Sequence, residues 1–146
     1  RRQPWLTQLS SLTCAKFAKP WSKTCWHDFL ESMFVRRERV TDELVTRYYD
    51  LNRRPEASQF TTMTAIMRED DKVIDFLGRI TAPTLLVWGE NDGLVPPKFG
   101  EAYRDHIPDA SLVVIPSAGH APFEEQPDAF LGAFDGFLEA RHLVSK

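Results

Sequence analysis

The sequence predicts an α/β fold in which a helical region precedes a short parallel sheet. Two apolar runs, 84–88 and 111–115, are bounded by turn-forming residues, which is typical of buried parallel strands. Apolar residues at helical spacing lie before, between and after these runs. We therefore predict a helical region over 1–80, followed by two β-α units over 81–146.

The helices have identifiable start and stop signals. Thr41 is a suitable N-cap, and the acidic residues Asp42 and Glu43 follow it in the first turn, where the helix dipole favours negative charge. Further helices are expected to begin at Ser58, Asp71, Pro96-Pro97 and Pro127. The helix from Pro127 carries a broad apolar face that we expect to pack on the sheet. Its members are Phe130, Leu131, Phe134, Phe137 and Leu138.

Length and composition favour a globular protein. The 146 residues are 42% hydrophobic, which is enough for a core, and the net charge of −3 gives no support for a nucleic-acid partner. No apolar run approaches the roughly 18 residues of a membrane span, so no membrane partner is expected. Cys14 and Cys25 fit no common zinc or redox spacing, and we expect free thiols in a reducing, cytoplasmic compartment.

Two loops that follow the predicted strands carry the residues of greatest chemical interest. Asp92 lies in the loop after the first strand, and His120 lies in the loop after the second. The carboxyl ends of parallel strands meet at one edge of a sheet, where ligands of open α/β folds bind. Either residue alone could be an ordinary turn or helix-entry residue, but the ordered pair behind two strands favours a catalytic site.

These loops also carry a resemblance to a known family. The segment from Pro83 to Pro96, PTLLVWGENDGLVP, followed by Gly119 to Pro127, GHAPFEEQP, resembles the C-terminal part of an α/β-hydrolase. The resemblance implies a triad in the order nucleophile, acid, histidine, with Asp92 as the acid and His120 as the general base. It covers about residues 80–140, whereas 20–80 resembles the helical cap of such enzymes only loosely.

The nucleophile of the family pattern is absent from the sequence. No serine, cysteine or aspartate stands in a Gly-x-Ser-x-Gly type of frame. We therefore expect this chain to be inactive alone and to belong to a hydrolase that acts on an ester or similar bond of a small molecule. Two alternatives remain open at this stage. One is an epoxide hydrolase or dehalogenase with an aspartate nucleophile, and the other is a non-catalytic binding module.

The neighbours of the two catalytic candidates are expected to play supporting roles. Gly93 and Gly119 are interpreted as allowing sharp turns, and Glu90 is a less suitable acid than Asp92 because it is nearer the strand. Glu125 is interpreted as a residue of a helix start. No metal-ligand spacing is present, so neither a metal nor another cofactor is expected.

The predicted sheet has an edge that needs a partner. Two parallel strands bury little core, and the segment 84–88 would leave one side of its backbone unpaired. We therefore expect self-association through this edge, or incorporation of the chain into a larger body.

Overall fold

The computed structural model describes residues 21–53 and 76–142. The chain divides into two compact units, Arg1–Arg68 and Glu69–Lys146. The predicted division into a cap-like region 1–80 and a core region 81–146 stays a prediction. The helices expected to start at Ser58 and Asp71 begin outside the described residues.

The first unit contains two helices that pack against each other. Helix α1 spans Lys23–Met33 and helix α2 spans Asp42–Asn52, with a 3-10 turn at Arg37–Arg39 between them. The Thr41 side chain accepts a hydrogen bond from the Leu44 N–H at 3.2 Å, which confirms the predicted N-cap. Among residues 21–53, the buried apolar side chains are those of Trp26, Leu30, Phe34, Leu44 and Val45.

One cysteine corrects a prediction. Cys25, in α1, is disulfide-bonded, so the expectation of a free thiol is wrong for this residue. Disulfides persist mainly in oxidising compartments. The argument from thiols for a reducing compartment is therefore lost, and a cytoplasmic location remains only a prediction.

In the described part of the second unit, the core is a parallel sheet of two strands. Strand β1 spans Thr84–Gly89, strand β2 spans Ala110–Ile115, and the register pairs Thr84 with Ala110 and Gly89 with Ile115. Both predicted strands are confirmed, each with one additional residue. The register places the last residues of the two strands side by side, and so brings together the loops that follow them.

Three helices accompany this sheet. Helix α3 spans Lys98–His106 and connects the strands, α4 spans Pro122–Glu125, and α5 spans Pro127–Ala140. A Cβ atom on Gly100 would lie 2.8 Å from Trp88 Cε3, so the missing side chain allows α3 to lie close against β1. The starts predicted for α3 and α5 are confirmed to within two residues, whereas α4 was not predicted.

The apolar face of α5 packs on the sheet but is only partly covered. The helix contacts both strands, yet none of its residues is buried. Leu131 and Phe134 are 53% and 44% exposed. The predicted packing of this helix on the sheet is therefore confirmed, but its apolar face stays partly exposed because the two strands offer too little surface to cover it.

Across the described residues, we find no helix with both the length and the apolar character needed to cross a membrane.

Candidate active site

The loop that follows β1 holds Asp92 in a fixed position. Asp92 Oδ1 accepts hydrogen bonds from the backbone N–H groups of Leu94 at 2.9 Å and Val95 at 2.8 Å. The Trp88 indole Nε1 donates to the Val95 carbonyl at 2.7 Å, so a strand side chain supports the same loop. We call residues 90–96 the acid loop. The backbone N–H groups of this loop bond to Oδ1, so Oδ2 of Asp92 is available for a different partner.

The loop that follows β2 carries His120. We call residues 116–121 the histidine loop, which ends where α4 begins at Pro122. Ala118 and Ala121 are buried on either side of His120, whose own side chain is 30% exposed. The loop backbone therefore lies inside the unit, while the imidazole ring retains access to its surroundings.

The structure brings the two predicted catalytic residues together. His120 Nδ1 lies 2.9 Å from Asp92 Oδ2, which is hydrogen-bonding distance, although the residues are 28 positions apart in sequence. The Asp92 side chain is only 4% exposed. The pair thus consists of a buried carboxylate and a partly accessible ring.

The pKa of Asp92 is lowered by its surroundings. Burial is the largest single influence and by itself raises the pKa. The hydrogen bond from His120, the backbone bonds from Val95 and Leu94 and the charge of the imidazole together outweigh it. Asp92 is therefore ionised at neutral pH.

An ionised Asp92 determines the tautomer of a neutral His120. A carboxylate can only accept hydrogen bonds, so Nδ1 of His120 must carry the proton that it donates to Oδ2. The other ring nitrogen, Nε2, is then unprotonated and can accept a proton from a third group. This is the arrangement required of a general base.

The two loops are held together by their backbones as well as by the pair. Glu90 N–H donates to the Ile115 carbonyl and Asn91 N–H donates to the Ala118 carbonyl, each at 2.9 Å. A Cβ atom on Gly89 would lie 1.9 Å from the Gly119 carbonyl oxygen. Only glycine fits at the end of β1, since any side chain would collide with the histidine loop.

This geometry corrects the roles expected of two other glycines. No glycine in the described ranges has a positive φ, so neither Gly93, which lies in a bend, nor Gly119 uses the backbone conformation that favours glycine. The positive φ of the histidine loop, 54°, belongs instead to Ser117. Gly89 is the glycine that the site requires, and the sequence analysis assigned it no role.

The two glutamates near the site have different positions. Glu90 is exposed, and its Oε2 accepts the Ser117 N–H at 3.2 Å, so Asp92 and not Glu90 bonds to the imidazole. Glu125 is completely buried at the end of α4, and its Oε1 accepts the Gly119 N–H at 2.6 Å. Sequence reasoning placed Glu125 at a helix start and missed this contact. The sequence feature that could have indicated this contact is the position of Glu125 shortly after His120, in the segment GHAPFEEQP.

Among residues 21–53 and 76–142, no group of three His, Cys, Asp or Glu side chains is arranged to hold a metal ion.

Known proteins share parts of this sequence. Residues 3–127 match the profile of the alpha/beta hydrolase fold family. A pimeloyl-(acyl-carrier protein) methyl ester esterase of Neisseria meningitidis is 40% identical over 63 residues, which cover 43% of this chain and 25% of the esterase. A 2-hydroxy-6-oxo-6-phenylhexa-2,4-dienoate hydrolase of Burkholderia cepacia is 36% identical over 94 residues, or 62% of this chain and 33% of the hydrolase.

Solved structures share the fold at lower identity. A thermophilic esterase from Thermogutta terrifontis aligns with a TM-score of 0.64 and 24% identity, covering 94% of this chain and 51% of the esterase. A meta-cleavage product hydrolase from Pseudomonas fluorescens aligns with a TM-score of 0.64 and 22% identity, covering 90% and 50%. The chain thus spans about half the length of these structures. It belongs to the alpha/beta hydrolase fold family.

Proposed function

We propose that this chain is the C-terminal part of a hydrolase that cleaves an ester or similar bond in a small molecule. Asp92 and His120 act as acid and general base, and the nucleophile comes from a segment outside these 146 residues. The observation that carries the proposal is the 2.9 Å contact between His120 Nδ1 and Asp92 Oδ2. The Neisseria meningitidis relative is named for a methyl ester, which supports an ester as the bond cleaved.

In the proposed reaction, both ring nitrogens of His120 and the carboxylate of Asp92 have a role. His120 Nε2 takes the proton of the nucleophile's hydroxyl as that oxygen attacks the ester carbonyl, and the ring becomes an imidazolium. The Asp92 carboxylate stabilises this cation through the bond at Nδ1. His120 then gives the proton to the departing alkoxide, and a second cycle with water releases the acid. The chain alone is inactive because it holds no nucleophile.

The test extends the chain by the coding sequence that precedes Arg1 and measures cleavage of p-nitrophenyl esters. We expect activity in the extended protein, and His120→Ala should lower kcat about 10⁴-fold or more. His106→Ala is the matched control, because His106 is exposed on α3 and bonds only its own helix, at the Ala102 carbonyl. An active His120→Ala protein would contradict the proposal.

The nucleophile can be identified in the same extended protein. A fluorophosphonate probe forms a stable bond with an activated serine and should label the protein once, at an upstream serine. Failure to label, together with turnover of epoxides or haloalkanes, would favour an aspartate nucleophile. Absence of both labelling and turnover would favour the non-catalytic module.

A further inference from the structure

Glu125 is a buried charged residue that the proposed reaction does not use. Its side chain is fully buried, and among the described residues only Asp92 shares its combination of charge and burial. A carboxylate removed from water is costly unless its oxygens are hydrogen-bonded. The position of Glu125 therefore needs a structural reason, and both of these buried carboxylates contact the histidine loop or its ring.

Glu125 contacts the two residues that flank His120. Its side-chain Oε1 accepts the Gly119 N–H at 2.6 Å, a short distance that is typical of charge-assisted hydrogen bonds. Its own backbone N–H donates to the Ala121 carbonyl at 3.0 Å. One residue thus fixes the chain immediately before and immediately after the histidine.

Ordinary helix capping does not account for this contact. In a capping box the glutamate at the third helical position bonds the N–H of the N-cap residue. The N-cap of α4 is Ala121 and its third residue is Glu124, whereas Glu125 is one position later and reaches two residues past the N-cap to Gly119. The Glu125 side chain therefore bonds to the residue that precedes His120, and it stabilises the histidine loop rather than the start of α4.

The hydrogen bonds between the acid loop and the histidine loop do not include Gly119. Glu90 bonds the Ser117 N–H, and Asn91 bonds the Ala118 carbonyl, so the acid loop secures the first half of the histidine loop. Within the described part of the chain, it is the Glu125 side chain that bonds Gly119, the residue next to His120. Removing this anchor would free the segment that sets the direction of the ring.

We propose that Glu125 is a positioning residue that holds the His120 ring against Asp92. It touches no reacting group, and it acts by fixing Gly119 and Ala121 so that Nδ1 stays bonded and Nε2 keeps one direction. The importance of this role for catalysis rests on the proposed function of His120. A general base works only within a narrow range of positions, so a small displacement lowers the rate steeply.

The test measures hydrogen exchange by NMR in the 146-residue chain, at the Gly119 amide and the His120 Nδ1–H. We expect Glu125→Ala to speed exchange at both sites at least tenfold, the effect of losing one hydrogen bond to a buried charged group. Glu125→Gln keeps an acceptor oxygen and should stay within about threefold of the wild type. Glu139→Ala removes an exposed carboxylate from α5 and is the matched control.

Strand amides distinguish positioning from general loss of stability. The Leu86 and Val113 amides should change less than threefold in Glu125→Ala, since the parallel register directs both N–H groups into the ladder between β1 and β2 and they report on the sheet. Equal acceleration at strand and loop amides, or no acceleration at Gly119, would overturn the proposal. If Glu125→Ala does not fold, Glu125→Asp replaces it, because the shorter carboxylate cannot span to Gly119, and the same expectations apply.

An activity measurement in the extended protein separates this inference from the proposed function. We expect Glu125→Ala to lower kcat at least tenfold with KM changed less than threefold, and Glu125→Gln to restore most of the loss. If His120→Ala keeps full activity, the proposed function fails, while the exchange data still decide whether Glu125 positions the ring. Full activity in Glu125→Ala beside an inactive His120→Ala protein would overturn the positioning role.

Discussion

The two loops that carry Asp92 and His120 differ sharply from helix α5, although all lie in the same unit. The loops are densely bonded, and the two carboxylates that hold the histidine loop and its ring, those of Asp92 and of Glu125 in α4, are buried. Helix α5 carries a broad apolar face, yet Phe134 is 44% exposed. The polar site is therefore built entirely by residues close to it, whereas the apolar face needs surface that two strands do not supply.

This difference separates two requirements of an enzyme. Short-range hydrogen bonds suffice to orient a base, because the two loops and the adjoining residues of β1 and α4 provide the donors and acceptors. Burial of a helix face depends on the apolar area that covers it, and a small sheet offers little such area. We therefore expect the hydrogen bond between Asp92 and His120 to form in this chain without a partner. The sheet and the apolar face of α5 are the surfaces that we expect to bind one.

The largest expected effect concerns the polar region. In the protein extended upstream of Arg1, Asp92→Asn should lower kcat for p-nitrophenyl esters about 10⁴-fold, because an amide in place of the carboxylate favours the wrong tautomer of His120. Asp105→Asn, at an exposed aspartate that bonds Arg104, should have no effect. Equal activity of the two variants would remove Asp92 from the mechanism.

The second prediction concerns the contact between the loops. Gly89→Ala should lower the free energy of unfolding by about 3 kcal/mol, because its Cβ would lie 1.9 Å from the Gly119 carbonyl oxygen. Gly93→Ala is the matched control, since no atom lies within 4 Å of its Cβ position, and it should change stability by less than about 1 kcal/mol. Urea unfolding measures both, and similar values would show that the loops are not in close contact.

A smaller effect is expected from acid. The pKa of Asp92 is lowered in the folded protein, so its interactions stabilise the fold above the unfolded-state pKa and are lost as pH falls through the folded-state value. The wild type should therefore lose more stability than Asp92→Asn between neutral pH and about pH 3. Parallel urea titrations at several pH values test this, and identical pH profiles would contradict it.

The smallest effect concerns the open edge of the sheet, through which we propose that the chain associates with itself. Thr84 and Glu90 donate their N–H groups toward β2, so the alternation of a parallel strand directs the Leu85 and Val87 N–H groups to the other side. Hydrogen exchange at Leu85 and Val87 should slow as protein concentration rises, whereas Leu86 and Trp88 serve as internal controls. Concentration-independent exchange and a monomeric elution volume in size-exclusion chromatography would contradict self-association.

The sequence was most informative where structure is local. Apolar runs predicted both strands, and the order of Asp92 and His120 behind them predicted the pair that the structure brings to 2.9 Å. Sequence spacing could not reveal that Gly89 faces the Gly119 carbonyl, or that Glu125 turns back toward the histidine loop. Those contacts arise only when the strand register has placed the loops side by side.

The exposure of α5 was unpredictable for a different reason. Its pattern of phenylalanine and leucine correctly indicated a helix with an apolar face. A pattern states that a face is suited to burial, but the partner that covers it is decided by the rest of the fold. Two strands contact the helix without burying it, so the predicted helix and its packing on the sheet are confirmed, while the extent of its exposure could not be predicted from the pattern.

The tautomer of His120 is the sharpest test that Asp92 holds the ring as a general base. Two-dimensional ¹⁵N NMR of the 146-residue chain, recorded at a pH where the spectrum shows a neutral ring, distinguishes the two ring nitrogens. We expect a protonated Nδ1 and an unprotonated Nε2 in the wild type, with this preference lost in Asp92→Asn. A protonated Nε2 in the wild type, or identical spectra for the two proteins, would contradict it.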